Sequence, residues 1–321
     1  MGCGGATVSE TTLQPGFRLP DPDRQIARAL AEDLGVSAEE LLGEALGGAV
    51  AGGGLLARDI TTAATISAGQ KFSGVVVARQ AGVVCGLPVA ERVWSMLAAV
   101  SGSASVDVFP LVPEGANVAA GDAVLEVSGP ASVVLAGERT ALDFVMVLSG
   151  IASAAAAWQR AAGSTLAVCD TRKTIPGLRA LSKYAVRVGG ATNHRAGLWD
   201  MVLIKDNHIA AAGGITAAVA AARAAHPDLL TEVEADTIAQ AQEAAGSGAD
   251  MVLLDNFTGA ELMRAVQTIH RATPEGRRVL VEASGGVTID RLPSIAAAGC
   301  DRASTSALTM APPLDFGLDE R

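Results

Sequence analysis

Between Thr165 and Ala307 one pattern repeats: a short apolar run ends in a polar or charged residue, and a helical stretch follows. The runs are TLAVCDTR, MVLIKD, LTEVEAD, MVLLDN, VLVEAS and DRASTSA. Buried strands of this length alternating with helices are the mark of repeated βα units, which build a parallel sheet. The tetrapeptide Asp-Met-Val-Leu occurs at both Asp200 and Asp250, consistent with repeated supersecondary structure. So many strands in succession favour a (β/α)8-type barrel, complete or incomplete, over an open sheet. In such a barrel the strand ends Arg172, Lys205, Glu234, Asp255, and Glu282 followed by Ser284, converge on the C-terminal rim, where active sites lie.

The first half reads differently. RQIARALAEDL and SAEELLGEALGGAV carry apolar residues at helical spacing and look like surface helices. From Asp59 onward come β-rich runs punctuated by Gly and Pro, FSGVVVARQAGVVCG and VDVFPLVPEGANVAAGDAVLEVSGP, with VAERVWSMLAAV between them. They predict a small, partly antiparallel sheet with a helix packed on it. GERTALDFVMVLSGIASAAAAWQRAA predicts a long Ala-rich helix bridging to the second domain. The expected division is α/β throughout: a flexible leader over 1–24, an N-terminal α/β sandwich domain over 25–140, an incomplete (β/α)8-type barrel domain over 141–311, and a tail over 312–321.

Charge limits the partners. A net charge of -10 with only 3% aromatic residues removes the basic, aromatic surface that nucleic-acid binding requires. No run reaches the roughly 18 consecutive apolar residues of a membrane span, and the leader lacks a signal-peptide pattern. MGCGGA departs from the acylation motif at its sixth residue. The four cysteines are far apart and suggest neither zinc nor disulfides, which fits a reducing cytoplasm.

Against this acidic background, residues 170–208 hold seven of the 24 Lys and Arg residues and only three acids. Such a cluster is expected to meet an anion. Arg172, Lys173, His194, Arg195 and Lys205 supply donors; guanidinium forks suit carboxylate or phosphate, and lysine acts as a point charge. Glu234 and Asp255 supply the oxygens that Mg²⁺ prefers among phosphates. Ser284-Gly285-Gly286, after a strand and before a helix, allows backbone N–H groups to approach a phosphate. His208 is read as orienting its neighbours, His226 and His270 as surface, and Arg179 is left open. Lys183 and Arg187, four residues apart on one helix, are read as solvated or dimer-facing.

At DTRKTIPGLRALSKYAVRVGGATNHRAGL and DMVLIKDNHI, supported by ARDITT, GERTALDFVMVLSGIAS, EVEAD, LLDNF and EASGGV in the same order, the chain resembles the quinolinate phosphoribosyltransferases from about Leu41 onward. The resemblance implies transfer of the phosphoribosyl group of phosphoribosyl pyrophosphate to quinolinate with decarboxylation. The products are nicotinate mononucleotide, pyrophosphate and carbon dioxide, on the route to NAD. It also implies a homodimer with shared active sites, higher assembly left open, and a tail that returns to the N-terminal domain.

Residue by residue, the resemblance implies a quinolinate site of Arg139 from the partner subunit with Thr171, Arg172, Lys173, His194, Arg195 and Lys205. The phosphoribosyl donor would meet Lys173, Lys205, Glu234, Asp255, Ser284, Gly285, Gly286, Thr305, Ser306 and Ala307. Lys173, Lys205, Glu234 and Asp255 would carry the catalysis, with Mg²⁺ held directly or indirectly by Glu234 and Asp255. The chain departs from the family pattern Gly-Ala-Leu-Thr-His at Ser306-Ala307-Leu308-Thr309-Met310. Competing readings are a molybdenum-transport-associated paralogue, a non-catalytic binder of acidic metabolites on the same fold, and a Schiff-base aldolase using Lys205.

Overall fold

The computed structural model describes residues 22–39, 41 and 54–321. Most of the expected leader, the acylation-like MGCGGA and most of SAEELLGEALGGAV lie outside the described residues. The first described helix, Asp23–Leu34, buries Ile26, Ala27, Leu30, Ala31 and Leu34, one face at i, i+4, i+8 spacing. It ends where Gly35 turns left-handed at φ 62°.

Three strands of the first domain, β1 (Lys71–Ala78), β3 (Asp107–Pro110) and β5 (Ala123–Pro130), form an antiparallel sheet with a fourth strand from the far end of the chain. A short pair, β2 (Gly82–Val83) and β4 (Asn117–Val118), stands beside it. The helix Leu87–Val100 packs here, sealed by Trp94, which is fully buried and donates Nε1–H to the Val134 carbonyl at 3.0 Å.

The bridging helix runs unbroken from Ala131 to Ala162, through the position where the sequence suggests a domain boundary. Its length and apolarity alone would suit a membrane span, yet 61% of its most apolar window is buried inside the protein. It is the shared core helix of the two domains. Six parallel strands follow: β6 (Ala167–Cys169), β7 (Val202–Ile204), β8 (Thr231–Ala235), β9 (Met251–Asp255), β10 (Leu280–Ser284) and β11 (Arg302–Ser304). Their order is β6-β11-β10-β9-β8-β7. Thr192 adds a single parallel bridge to Cys169 at the β6 edge.

The repeated Asp-Met-Val-Leu has one structural meaning. Asp200 and Asp250 each precede a strand and accept backbone N–H groups, Asp200 from Ala196 and Gly197, Asp250 from Thr231. The tail ends in β12 (Phe316–Glu320), which pairs antiparallel with β1 and completes the first domain's sheet as β12-β1-β5-β3. To reach it the chain crosses the core helix at Gly150, where a Cβ would stand 2.1 Å from the Pro312 carbonyl oxygen. Only a residue without a side chain lets the two backbones pass.

Candidate active site

Every strand of the parallel sheet delivers side chains to one rim. Past β6 come Asp170, Thr171, Arg172 and Lys173; past the Thr192 bridge come Asn193, His194 and Arg195. Lys205 follows β7, Glu234 lies near the end of β8, Asp255 and Ser284 end β9 and β10, and Thr305, Ser306 and Ala307 follow β11. The sheet is open between Thr192 and β7. Arg195 reaches across that opening and donates to the Met201 carbonyl at 3.5 Å.

Most arginines outside this rim with a side-chain contact are tied to carboxylates, as in Arg79–Asp319, Arg92–Asp23 and Arg223–Asp250. Arg172, Lys173 and Arg179 make no ion pair among the described residues, and Arg172 and Arg179 each bury an Nε–H without a partner. Their charge is left without a carboxylate partner among the described residues. Burial opposes the Arg195 charge, the neighbouring Arg172 adds to that opposition, and its pKa is lowered. Lys205 pairs its ammonium with the Glu234 carboxylate. His208 orients this pair, since its Nδ1 accepts the Lys205 backbone N–H at 3.0 Å.

Ser284-Gly285-Gly286 forms a tight turn against β9. Gly285 (φ +77°) and Gly286 (φ +56°) are left-handed, and a Cβ on Gly285 would lie 2.3 Å from Asn256 Oδ1. Asn256 is itself left-handed at φ 62°, gives its N–H to the Ser284 carbonyl, and donates Nδ2–H to Asp255 Oδ2 at 2.7 Å. Backbone strain of this kind gathers at ligand sites. The departing Ser306–Met310 segment docks through Thr309, whose hydroxyl donates to the Lys173 carbonyl at 2.7 Å, while Met310 points outward and is exposed. That contact ties the loop after β11 to the loop after β6. Arg139 stands apart, exposed on the core helix with Asp143 as its partner at 3.3 Å.

Two expectations are corrected. Lys183 is neither solvated nor facing outward: it is fully buried, paired with Asp170, and donates to the His194 carbonyl at 2.9 Å. Asp170 also accepts the His194 N–H at 2.9 Å and the Asn193 side-chain N–H at 2.6 Å. Burial raises the Asp170 pKa and lowers that of Lys183, and each group opposes the effect of burial on the other. Arg187 is exposed, as are His226 and His270. Glu282 is not a rim residue: β10 continues two residues beyond it, and it is fully buried inside the barrel.

Beneath the rim lies a tier of buried charge that strand periodicity could have revealed. Glu232 stands two residues before Glu234 and Glu282 two before Ser284, so each shares its successor's face. His194 Nε2 is 3.0 Å from Glu232 Oε2 and 3.3 Å from Glu282 Oε1. Arg302 Nε lies 3.2 Å from Glu282 on its other side and contacts Cys169 Sγ at 3.1 Å. Burial disfavours the imidazolium, but Glu282 and Glu232 override it and raise the His194 pKa to about 9. Burial likewise opposes the Glu282 carboxylate, yet Arg302 and His194 hold its pKa down to about 2. His194 Nδ1 accepts the Arg195 N–H at 2.8 Å, so both ring nitrogens are engaged within the protein.

A barrel rim with unpaired cations on one side and carboxylates on the other defines an enzyme-type site for small polyanions. Two family models match the chain: "Quinolinate phosphoribosyl transferase, N-terminal domain" over residues 59–149 and "Quinolinate phosphoribosyl transferase, C-terminal domain" over residues 151–319. The chain belongs to the quinolinate phosphoribosyltransferase family. The nicotinate-nucleotide pyrophosphorylase [carboxylating] of Mycobacterium leprae is 43% identical over 263 residues, 81% of this chain and 90% of that protein. The human protein of the same name is 42% identical over 261 residues, 80% of this chain and 84% of its own. The structure of NadC from Streptococcus pyogenes superposes with a TM-score of 0.80 at 33% identity, covering 96% of this chain and 100% of that one.

Proposed function

We propose that this protein is a carboxylating nicotinate-nucleotide pyrophosphorylase, joining quinolinate to phosphoribosyl pyrophosphate and releasing pyrophosphate and carbon dioxide. The observation that carries the reading is the charge of the rim, where Arg172, Lys173 and Arg179 make no ion pair among the described residues while Glu234 and Asp255 close the adjacent strands β8 and β9. Family membership removes the aldolase reading, and the intact KYAVRVGG, NHR and IKDNH segments favour quinolinate over the paralogue's cargo. Retention of Glu234 and Asp255 beside the cations favours catalysis over passive binding.

Thr171, Arg172, Lys173, Arg195 and Lys205 take the two quinolinate carboxylates, joined by Arg139 of a second copy of the chain. His194 serves this site through Arg195. Ser284, Gly285, Gly286 and the loop Thr305-Ser306-Ala307 take the 5-phosphate, with Lys173 and Lys205 shared between the substrates. Glu234 and Asp255, on adjacent strands, form an all-oxygen donor set suited to Mg²⁺. A Mg²⁺ ion held there would neutralise the pyrophosphate.

The chain's own groups position the quinolinate ring nitrogen against ribose C1, and their carboxylates stabilise the oxocarbenium-like charge that develops as the C1–O bond breaks. The new C–N bond leaves the ring nitrogen positively charged. That charge stabilises the carbanion created when the adjacent carboxylate departs as carbon dioxide, and a proton takes its place. No protein nucleophile is required. We place the reaction in the cytoplasm, where the free buried thiols Cys85, Cys169 and Cys300 are compatible with a reducing medium.

The test is incubation with quinolinate, phosphoribosyl pyrophosphate and Mg²⁺, following nicotinate mononucleotide and carbon dioxide. Stoichiometric appearance of both supports the assignment. Binding of quinolinate without turnover across pH and metals would replace it with the acidic-metabolite binder.

A further inference from the structure

The chemistry above uses the rim and leaves the buried tier beneath it without a task. Glu232 and Glu282 are both fully buried, and none of their four carboxylate oxygens has a hydrogen-bond partner among the described residues, although His194 and Arg302 stand at ion-pair distance. Burying a carboxylate is costly, and apolar replacements of buried ion pairs are often neutral or stabilising. Stability alone therefore gives no reason for two glutamates inside the barrel. Orientation does.

The imidazole of His194 sits between Glu232 and Glu282, which approach Nε2 at 3.0 and 3.3 Å, and the Arg195 peptide N–H, which lies 2.8 Å from Nδ1 and bonds to it when the ring is neutral. The Arg195 side chain, half-buried, spans the open seam of the barrel to the Met201 carbonyl. From the other side Lys183 and Asp170 clamp the His194 peptide at its carbonyl and its N–H. Arg302 in turn fixes Glu282 at 3.2 Å and touches Met251 Sδ at 3.2 Å. A continuous relay thus runs from Arg302 through Glu282 and His194 to Arg195, with Glu232 as a second brace.

We propose that Glu232 and Glu282 are positioning residues for the quinolinate side of the cleft, holding the His194 imidazole and, through it, the Arg195 peptide in the orientation that receives the substrate carboxylates. The inference rests on the proposed reaction. Glu232 acts through His194 and touches no substrate. His194, Glu232 and Glu282 also each bring one ligand atom within 4.8 Å of the others, close enough to share a metal ion. The Arg302 guanidinium already supplies positive charge there, 3.2 Å from Glu282.

Steady-state kinetics of Glu232→Ala, Glu232→Gln, His194→Asn and the His194→Asn/Glu232→Ala double variant separate this role from mere support of the fold. Removing the brace with Glu232→Ala should raise KM for quinolinate by about tenfold and leave KM for phosphoribosyl pyrophosphate within about twofold. Glu232→Gln keeps the shape and an acceptor for Nε2–H, and should recover most of the loss even if Glu232→Ala folds poorly. Added to His194→Asn, Glu232→Ala should change KM for quinolinate by less than about twofold, because the relay is already broken. Parallel rises in both KM values, additive effects in the double variant, or a stoichiometric metal ion lost with Glu232→Gln would each overturn the proposal while the reaction stands. Absence of turnover by the wild-type protein would overturn the reaction and the proposal together.

Discussion

Replacing Lys183 by Met should unfold the barrel domain well before the wild type. Both members of the Lys183–Asp170 pair are fully buried, so solvent does not screen the effect. After Lys183→Met, Asp170 keeps only neutral donors, the His194 N–H at 2.9 Å and the Asn193 amide at 2.6 Å. Removing one partner of a buried pair costs about 3–5 kcal/mol, since the survivor's charge is left uncompensated. At about 2–4 °C per kcal/mol for a domain of this size, the melting temperature should fall by roughly 10 °C. Lys183→Met/Asp170→Asn removes the stranded charge while its side-chain oxygen can still accept the His194 N–H, and should regain about half of the loss or more. Circular dichroism melts and denaturant titration of the single and double variants make the comparison. A single variant within about 1 kcal/mol of wild type, or a double variant no better than the single, would refute the claim that this pair latches the Asn193–Arg195 segment.

The His194 network should also shape stability against pH. Its folded pKa, raised from 6.5 to about 9, contributes stability that is fully present below 6.5 and lost as pH rises through 9. The loss is up to about 3 kcal/mol, less whatever the Arg195 N–H bond to Nδ1 gives back. His194→Asn should flatten the curve in this window; an already flat wild-type curve would contradict the network's charge. Gly285→Ala places a Cβ 2.8 Å from the Asn256 backbone nitrogen at φ +77°. It should cost about 1–3 kcal/mol and weaken phosphoribosyl pyrophosphate binding more than quinolinate binding, as read from the two KM values. If Arg139 serves a neighbouring copy's site, mixing inactive Arg139→Ala and Lys173→Ala chains should restore partial activity; a mixture as inactive as its parents would place Arg139 outside the site.

How far the sequence reaches depends on the kind of interaction. Arg172, Lys205, Glu234, Asp255 and Ser284 were legible because strands of a parallel sheet all end at one rim, so the last polar residue of each apolar run announces its own position. Glu232 and Glu282 carried the same period-2 signal one step earlier, and an acid inside an apolar run is easily mistaken for its end. Lys183 gave no such warning. Its i, i+4 spacing with Arg187 matches a solvated helix face, and only its placement opposite Asp170, 13 residues away across the βα loop, makes it interior.

By itself the amino-acid sequence determined the alternation of strands and helices, the charge of the rim and the family, because local periodicity and motif spacing are written along the chain. The tertiary structure alone decided which charges face a ligand and which face one another. A carboxylate's role depends on the group brought within about 3–4 Å of it, where Coulomb energy and burial dominate, and that neighbour comes from a different strand. So His194, within the cation cluster, proves to be approached from below by glutamates 38 and 88 residues further on.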